Sequence, residues 1–190
     1  MQNYQKNAQL LLPTMIQIHD KSFQLLISES EIMERVVAIS QKINSDYLNK
    51  KPLFIGVLNG SFMFAAELFK NLEIGAEITF LRVQSYQNMA SQGKVVEVLG
   101  LTENIENREV IIVEDIVDTG LTINEIVSYL NSKNPNSIKI ATLLFKPKAL
   151  KTDVKADYVG FEIEPKFVVG YGLDYDGLGR NLRGIFVLYE

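Results

Sequence analysis

Val110-Ile-Ile-Val-Glu-Asp-Ile-Val-Asp-Thr-Gly-Leu-Thr122 decides the fold. Its four opening apolar residues suit a strand buried on both faces, as a parallel sheet requires. Glu114 and Asp115 fall at the carboxyl end of that strand, where open α/β sheets bind their ligands. Asp118 to Thr122 then turns tightly into a helix marked by Ile123, Ile126, Val127 and Leu130. Gly120 permits positive φ and close backbone approach, so successive N–H groups can converge on an anion at the helix N-terminus. Thr119 and Thr122 add hydroxyl donors. Taken alone, Thr122-Ile-Asn-Glu125 also fits a capping box, and the acids fit a solvated loop. Together with the buried strand, however, three carboxylates stand beside an anion cradle that has no Walker lysine, so an ordinary NTP loop fits poorly. A phosphate and a hydroxyl-rich sugar side by side fit better.

Outward from this segment, strands and helices alternate. Ser28 to Glu31 matches the S-x-x-E capping box and precedes a helical pattern through Val36, Ile39, Ile43 and Tyr47. Leu53 to Leu58 is an apolar run ended by Asn59-Gly60, and Phe62, Ala65, Ala66 and Phe69 then recur on one helical face. Glu77 to Val83 and Val95 to Leu99 read as strands around a polar, mobile loop from Gln84 to Lys94. Ile138 to Phe145 returns as a strand, and after Lys146 come short strand-like pieces at Asp157 to Phe161, Lys166 to Gly170 and Gly184 to Tyr189. The pattern predicts an α/β fold with a mostly parallel central sheet flanked by helices. It is read as a single domain over residues 1–190, with a core at about 31–148 and a small cap from about 1–30 and 149–190.

Composition narrows the chemistry. The 190 residues are 47% apolar and 22% charged, ordinary for one globular domain. No apolar run approaches the roughly 18 residues of a membrane span, so a cytoplasmic protein is expected, with no membrane partner. Cysteine is absent, which excludes disulfides, thiolate zinc sites and thiol nucleophiles. His19 is the sole histidine, and no nucleophile elbow accompanies it, so a serine triad is disfavoured. A net charge of −4 argues against general nucleic-acid binding, which draws on clustered Lys and Arg.

The segment Glu114-Asp-Ile-Val-Asp-Thr-Gly-Leu-Thr122 resembles the phosphoribosyl diphosphate (PRPP) motif of type I phosphoribosyltransferases. The resemblance runs from roughly Ile55 to Leu188 and is closest to the hypoxanthine-guanine branch. Asp157-Tyr-Val-Gly-Phe-Glu-Ile-Glu-Pro-Lys-Phe-Val-Val-Gly-Tyr-Gly-Leu-Asp-Tyr175 is similar to the purine-pocket signature of that branch, and Ser85-Tyr86 stands where its mobile loop has a Ser-Tyr pair. The resemblance implies purine salvage: transfer of the phosphoribosyl group from PRPP to hypoxanthine, guanine or both, giving IMP or GMP and diphosphate.

It also implies roles. Glu114 and Asp115 would meet the ribose hydroxyls, and Asp118, Thr119, Gly120, Leu121 and Thr122 the 5′-phosphate. Asn59, Gly60 and Arg180 would face the diphosphate, with Ser85 and Tyr86 closing over it. Mg²⁺ would bind chiefly through substrate oxygens, aided by Glu114, Asp115 and Asp174, since this ion borrows few protein carboxylates. Asp118 would take or share the purine proton as catalytic base. Lys146, a donor-only ammonium, suits a 6-oxo group and not the 6-amino group of adenine. Phe167 would stack on the base, with Lys166, Val168 and Asp174 around its edge. Without the resemblance, Lys146 reads as a surface cation and Phe167 as a core aromatic. The chain departs from the family's Leu-Lys-Gly loop at Asn59, and from a lysine of some members at Leu121, so altered PRPP affinity is expected rather than lost activity.

Rivals within the family are adenine, xanthine and pyrimidine transferases, with xanthine the hardest to separate. A PRPP-sensing nucleic-acid regulator is the rival from another class; the acidic charge and Asp118 speak against it. Apolar helix faces such as Phe62 to Phe69 lead us to expect a homodimer or homotetramer.

Overall fold

In the computed structural model, which describes residues 14–87 and 94–189, strands β1 (Met15–Ile18) and β2 (Lys21–Ile27) form a hairpin ahead of helix α1 (Glu29–Asp46). The predicted capping box is present: Ser28 Oγ accepts from the Glu31 N–H, and Glu31 Oε2 accepts from the Ser28 N–H at 2.8 Å. Ile32, Val36, Ile39 and Ile43 line the buried stripe of α1. There follow β3 (Leu53–Leu58), α2 (Phe62–Lys70), β4 (Glu77–Gln87), β5 (Lys94–Leu99), β6 (Glu109–Val117), α3 (Leu121–Asn131) and β7 (Ser137–Phe145). A 3-10 turn at Pro147–Ala149 leads to β8 (Tyr158–Glu162), β9 (Val168–Val169) and β10 (Ile185–Tyr189).

The main sheet has the order β5-β4-β3-β6-β7-β8. All its strands are parallel except β5, which pairs antiparallel with β4 at the edge. Alternating residues feed two cores. Phe54, Ile111, Val113, Ala141 and Leu143 pack with α1 and α2, whereas Leu53, Ile55, Val57, Val110, Ile112 and Ile140 pack with Ile123, Ile126 and Leu130 of α3. Burial on both faces explains the unbroken apolar runs, each large side chain contributing about 1.5–3 kcal/mol. A second sheet, β1-β2-β10-β9, has its own cluster around Ile18, Phe23, Val169 and Phe186. Among the described residues no helix is long and apolar enough to cross a membrane.

Three expectations need correction. Strand β8 pairs with β7, so the sheet-bearing core runs to Glu162 rather than ending near 148, and the cap is built from residues 15–27 and 168–189. The buried face of α2 is Phe64, Ala65 and Leu68, while Phe62 and Ala66 are exposed. This helix is apolar on several sides, so the same periodicity fits more than one face. Finally, Gln84 to Gln87 continue β4, with Ser85 opposite Val96 and Tyr86 opposite Val95. Ser85 and Tyr86 therefore stand on a paired ribbon; residues 88–93 of the expected loop lie outside the described residues.

Candidate functional site

The carboxyl ends of β3, β6 and β7 and the turns that follow them bring most of the expected residues together. Strand β6 is longer than the apolar run suggests and includes Glu114 and Asp115, both buried. Alternation along the strand turns them apart. Glu114 lines a cavity of about 250 Å³ with Val117, Asp118, Thr119, Gly120 and Thr122, whereas Asp115 lies against Gly60 in the turn after β3. A Cβ on Gly60 would overlap the Asp115 carboxylate, so the close approach requires glycine there. The Leu58–Asn59 peptide in the same turn is cis, and Asn59 itself is exposed.

Burial dominates the protonation of this acid pair. Loss of solvent, and then the neighbouring Asp115, raise the Glu114 pKa well above the usual carboxylate range. Its Oε2 is buried without a hydrogen-bond partner among the described residues. Burial likewise pushes Asp115 up, to about 6, against the opposing pull of the Ile116 N–H, which donates to Oδ1 at 2.8 Å, and of Arg180. An unsatisfied buried acceptor beside a second buried carboxyl suits ligand hydroxyls, which can supply the missing hydrogen bonds.

The turn after β6 is held from behind. Gly120 takes φ +78° at the N-cap of α3, a left-handed conformation that favours glycine, and a Cβ there would strike Thr152. Lys151 N–H donates to Thr119 O at 2.9 Å. The capping-box reading of Thr122 does not hold: Gly120, which has no side chain, is the N-cap, the Leu121 N–H donates to Thr119 Oγ1 at 3.5 Å, and Thr122 is exposed within the first helical turn. Thr119, Gly120 and Thr122 of this end line the cavity, and a helix N-terminus favours an anion. Leu121, the first helical residue, is 53% exposed.

Lys146 directly follows β7 beside this turn. Its N–H bonds Val117 O at 2.9 Å, and its buried Nζ donates to Asp118 Oδ2 at 2.6 Å. Asp118 keeps 47% of its side chain exposed, so one end of the pair stays open to an incoming molecule. Across the site, Arg180 Nη2 lies 2.6 Å from Asp174 Oδ1, Arg180 Nη1 donates to Gly172 O at 2.6 Å, and the Gly177 N–H donates to Asp174 Oδ2 at 2.8 Å. Val168 is buried in the cap sheet, and Phe167 beside it is 45% exposed. The exposed Lys166 makes no side-chain hydrogen bond or ion pair among the described residues.

Sequence reasoning missed the support behind Phe167. Its ring meets Tyr175 at 5.8 Å and Phe23 of β2 at 6.2 Å. A signal existed: Ile16 and Ile18, then Phe23, Leu25 and Ile27, alternate on either side of His19-Asp20, the pattern of a hairpin.

A larger hollow of about 500 Å³ opens at the opposite end of the sheet, between the starts of β6, β7 and β8. Its charged groups are matched to each other: Lys139 with Asp157 at 2.7 Å, Lys50 with Glu109 at 3.6 Å, and Tyr158 OH with Asp46 at 2.9 Å. The smaller cavity, with its unsatisfied acid and bare helix end, is the better ligand site.

The family model of the phosphoribosyl transferase domain matches residues 27–176. The hypoxanthine-guanine phosphoribosyltransferase of Bacillus subtilis (strain 168) is 45% identical over 166 residues, covering 87% of this chain and 92% of that protein. The enzyme of the same name from Aquifex aeolicus (strain VF5) is 40% identical over 178 residues, 93% of this chain and all of its own. Among solved structures, a hypoxanthine phosphoribosyltransferase of Staphylococcus aureus superposes with TM-score 0.82 at 39% identity, covering 87% of this chain and 91% of that one. A ternary substrates complex of the Trypanosoma cruzi enzyme gives 0.81 at 37% identity, over 87% and 94%.

Proposed function

The chain belongs to the phosphoribosyltransferases, in their hypoxanthine-guanine branch, and from that premise we propose how its own residues divide the work. It is a purine salvage enzyme that transfers the phosphoribosyl group of PRPP to hypoxanthine, guanine or both. The reading of its site rests on one observation: a buried ammonium, Lys146 Nζ, bonded at 2.6 Å to a half-exposed carboxylate, Asp118, at the mouth of an acid-lined cavity.

PRPP lies along the β6–α3 turn. The α3 N-terminus and the hydroxyls of Thr119 and Thr122 hold the 5′-phosphate, and Gly120 lets the backbone approach it. Glu114 and Asp115 meet the ribose hydroxyls, which supply the partner that Glu114 Oε2 lacks. Asn59, Gly60 and Arg180 face the diphosphate from the β3 turn and the cap, and Ser85 and Tyr86 from the β4–β5 ribbon, which excludes water that would hydrolyse the activated ribose.

The donor set fits Mg²⁺ in a shared rather than a preformed site. Among the described residues no three carboxylates or histidines converge on one point, while both Asp174 oxygens and the acid pair lie within the site. Glu114, Asp115 and Asp174 would hold the ion together with substrate oxygens, and it would supply positive charge to the departing diphosphate.

Diphosphate leaves the ribose C1 as a purine ring nitrogen attacks. Asp118 accepts or shares the proton of that ring, and Lys146 donates to the 6-oxo group. A 6-amino group offers Lys146 a donor instead of an acceptor, so adenine is rejected on the order of 10⁴-fold. Phe167 stacks on the base, and Lys166, Val168 and Asp174 surround its edge. We further propose that the chain works in the cytoplasm as a homodimer or homotetramer, with the exposed Phe62 on α2 part of an apolar surface available for self-association.

Incubation with PRPP, Mg²⁺ and each of hypoxanthine, guanine, xanthine and adenine, with chromatography of the nucleotides and an Asp118→Asn control, tests these assignments. Conversion of hypoxanthine or guanine, lost in the control, supports them; adenine converted as readily would remove Lys146 from its role.

A further inference from the structure

The hairpin β1–β2 precedes the residues matched by the family model but packs directly behind the purine-facing elements. Phe23, fully buried on β2, lies 6.2 Å from the Phe167 ring and 6.1 Å from the Tyr175 ring, and Phe167 and Tyr175 meet edge to face at 5.8 Å. The three rings form a closed triangle. Tyr175 is fixed in turn by the hairpin's tip: its OH donates to Asp20 Oδ1 at 2.8 Å, Lys21 Nζ sits 5.2 Å over its ring, and His19 meets it edge to face at 5.7 Å. His19 Nε2 also lies 3.3 Å from Asp176 O, so the tip holds both Tyr175 and the residue that follows it.

Tyr175 is thus the link between two parts of the base site. It follows Asp174 directly in the chain, and its ring abuts Phe167. We propose that the N-terminal hairpin is a positioning element for the purine, in which Asp20 and Phe23 hold Tyr175 and, through it, the stacking ring of Phe167. Phe167 is 45% exposed and would otherwise turn about its side-chain bonds. Two aromatic neighbours at T-shaped and tilted angles restrict it before the base arrives, and such preorganisation raises affinity by lowering the ordering cost of binding. Asp20 is assigned no substrate contact, and neither is Tyr175. They act through Phe167, so this inference rests on the assignment of Phe167 to the purine.

The Asp20–Tyr175 bond can be removed without creating a cavity. Tyr175→Phe keeps the ring and loses the donor; Asp20→Ala loses the acceptor; Asp20→Asn keeps one. The expected result is a rise of about threefold to tenfold in KM for hypoxanthine and guanine in both Tyr175→Phe and Asp20→Ala, the range one hydrogen bond accounts for. KM for PRPP and kcat stay within about twofold, the double variant is no worse than either single one, and Asp20→Asn restores the base KM. Equal losses in PRPP and base kinetics, or base KM unchanged in both variants, overturn the proposal. Phe167→Ala separates the two levels: if it raises base KM while Tyr175→Phe does not, only the positioning role falls. If Phe167→Ala itself leaves base KM unchanged, the purine assignment falls and the positioning role with it.

Discussion

Lys146 and Asp118 are 28 residues apart in sequence and 2.6 Å apart in space, with the lysine buried and the aspartate half exposed. The parallel register of β6 and β7, which sets Val117 opposite Phe145, delivers both to the same corner. Before substrate arrives, the group assigned to the 6-oxo oxygen neutralises the group assigned to the purine proton. Under these assignments an incoming base would share this pair, coupling recognition to proton transfer. Lys146→Met keeps much of the side chain's bulk and removes the ammonium. Base kcat/KM should fall by about 10²-fold or more, in line with the loss of a buried charged hydrogen bond. Thermal unfolding should move little, because the abandoned Asp118 remains half in water. Steady-state kinetics beside a melting curve checks both halves.

Asp118→Asn keeps the size of the side chain and an oxygen for Lys146 but accepts a proton far less readily. A fall in kcat of about 10²–10⁴-fold is expected, with base KM changed much less. Equal kcat in the variant and the parent would remove Asp118 from proton transfer.

The acid pair makes the free enzyme's stability depend on pH. An aspartate free in water titrates near 3.8, and burial pushes Asp115 up to about 6 in the fold, so the folded state binds this proton more tightly than the unfolded state does. The cost of burying the charge is therefore absent below about pH 4, grows as pH rises through 6, and is fully present above it, on the order of 3 kcal/mol. Asp115→Asn removes that cost. The variant should be more stable than the parent at pH 8, by an amount that shrinks toward pH 4, while its KM for PRPP rises about tenfold or more. Urea unfolding at the two pH values, with kinetics at pH 8, checks the exchange of stability for substrate binding.

How much of this was legible in the sequence depended on whether the signal was local. Strands β3, β6 and β7 are buried on both faces, so Leu53 to Leu58, Val110 to Val113 and Ile138 to Phe145 announce themselves as apolar runs. The α1 capping box needs only four residues. Strand β8 alternates between buried and half-buried positions up to an exposed Glu162, which is equally the pattern of a cap strand, and only its docking on β7 assigns it to the main sheet. The acids of β6 could be named from the motif, but not their burial or their turning apart. Nor could periodicity bury Lys146, since its partner comes from a neighbouring strand's turn, or reveal that Phe23 and Asp20 stand behind Phe167.

Gly120 can be tested for backbone conformation alone. Gly120→Ala places a Cβ at φ +78° and against Thr152. The left-handed conformation costs about 1–2 kcal/mol, and relief requires moving the turn. KM for PRPP should rise more than KM for the base, and the melting temperature should fall by several degrees. A parallel rise in both constants would show that the turn does not act on the phosphate in particular.

Leu121 tests the fixed charge facing PRPP. It is the first residue of α3, 53% exposed and next to Gly120, where some family members have lysine. Leu121→Lys adds a cation within reach of the phosphate-binding turn but also sets it at a helix N-terminus, which disfavours positive charge by about 0.3–1 kcal/mol. The two effects have opposite readouts. KM for PRPP should fall about threefold to tenfold at low ionic strength, the benefit should shrink as salt screens it, and the ligand-free melting temperature should drop slightly. Asn59→Lys, on the exposed β3 turn two residues before the α2 N-cap Ser61, should act in the same direction, with a similar or smaller penalty from the N-terminus of α2. If neither lysine lowers KM for PRPP at low salt, the proposed Arg180 and backbone N–H contacts, with the Mg²⁺ proposed for the site, suffice for the diphosphate without further fixed charge.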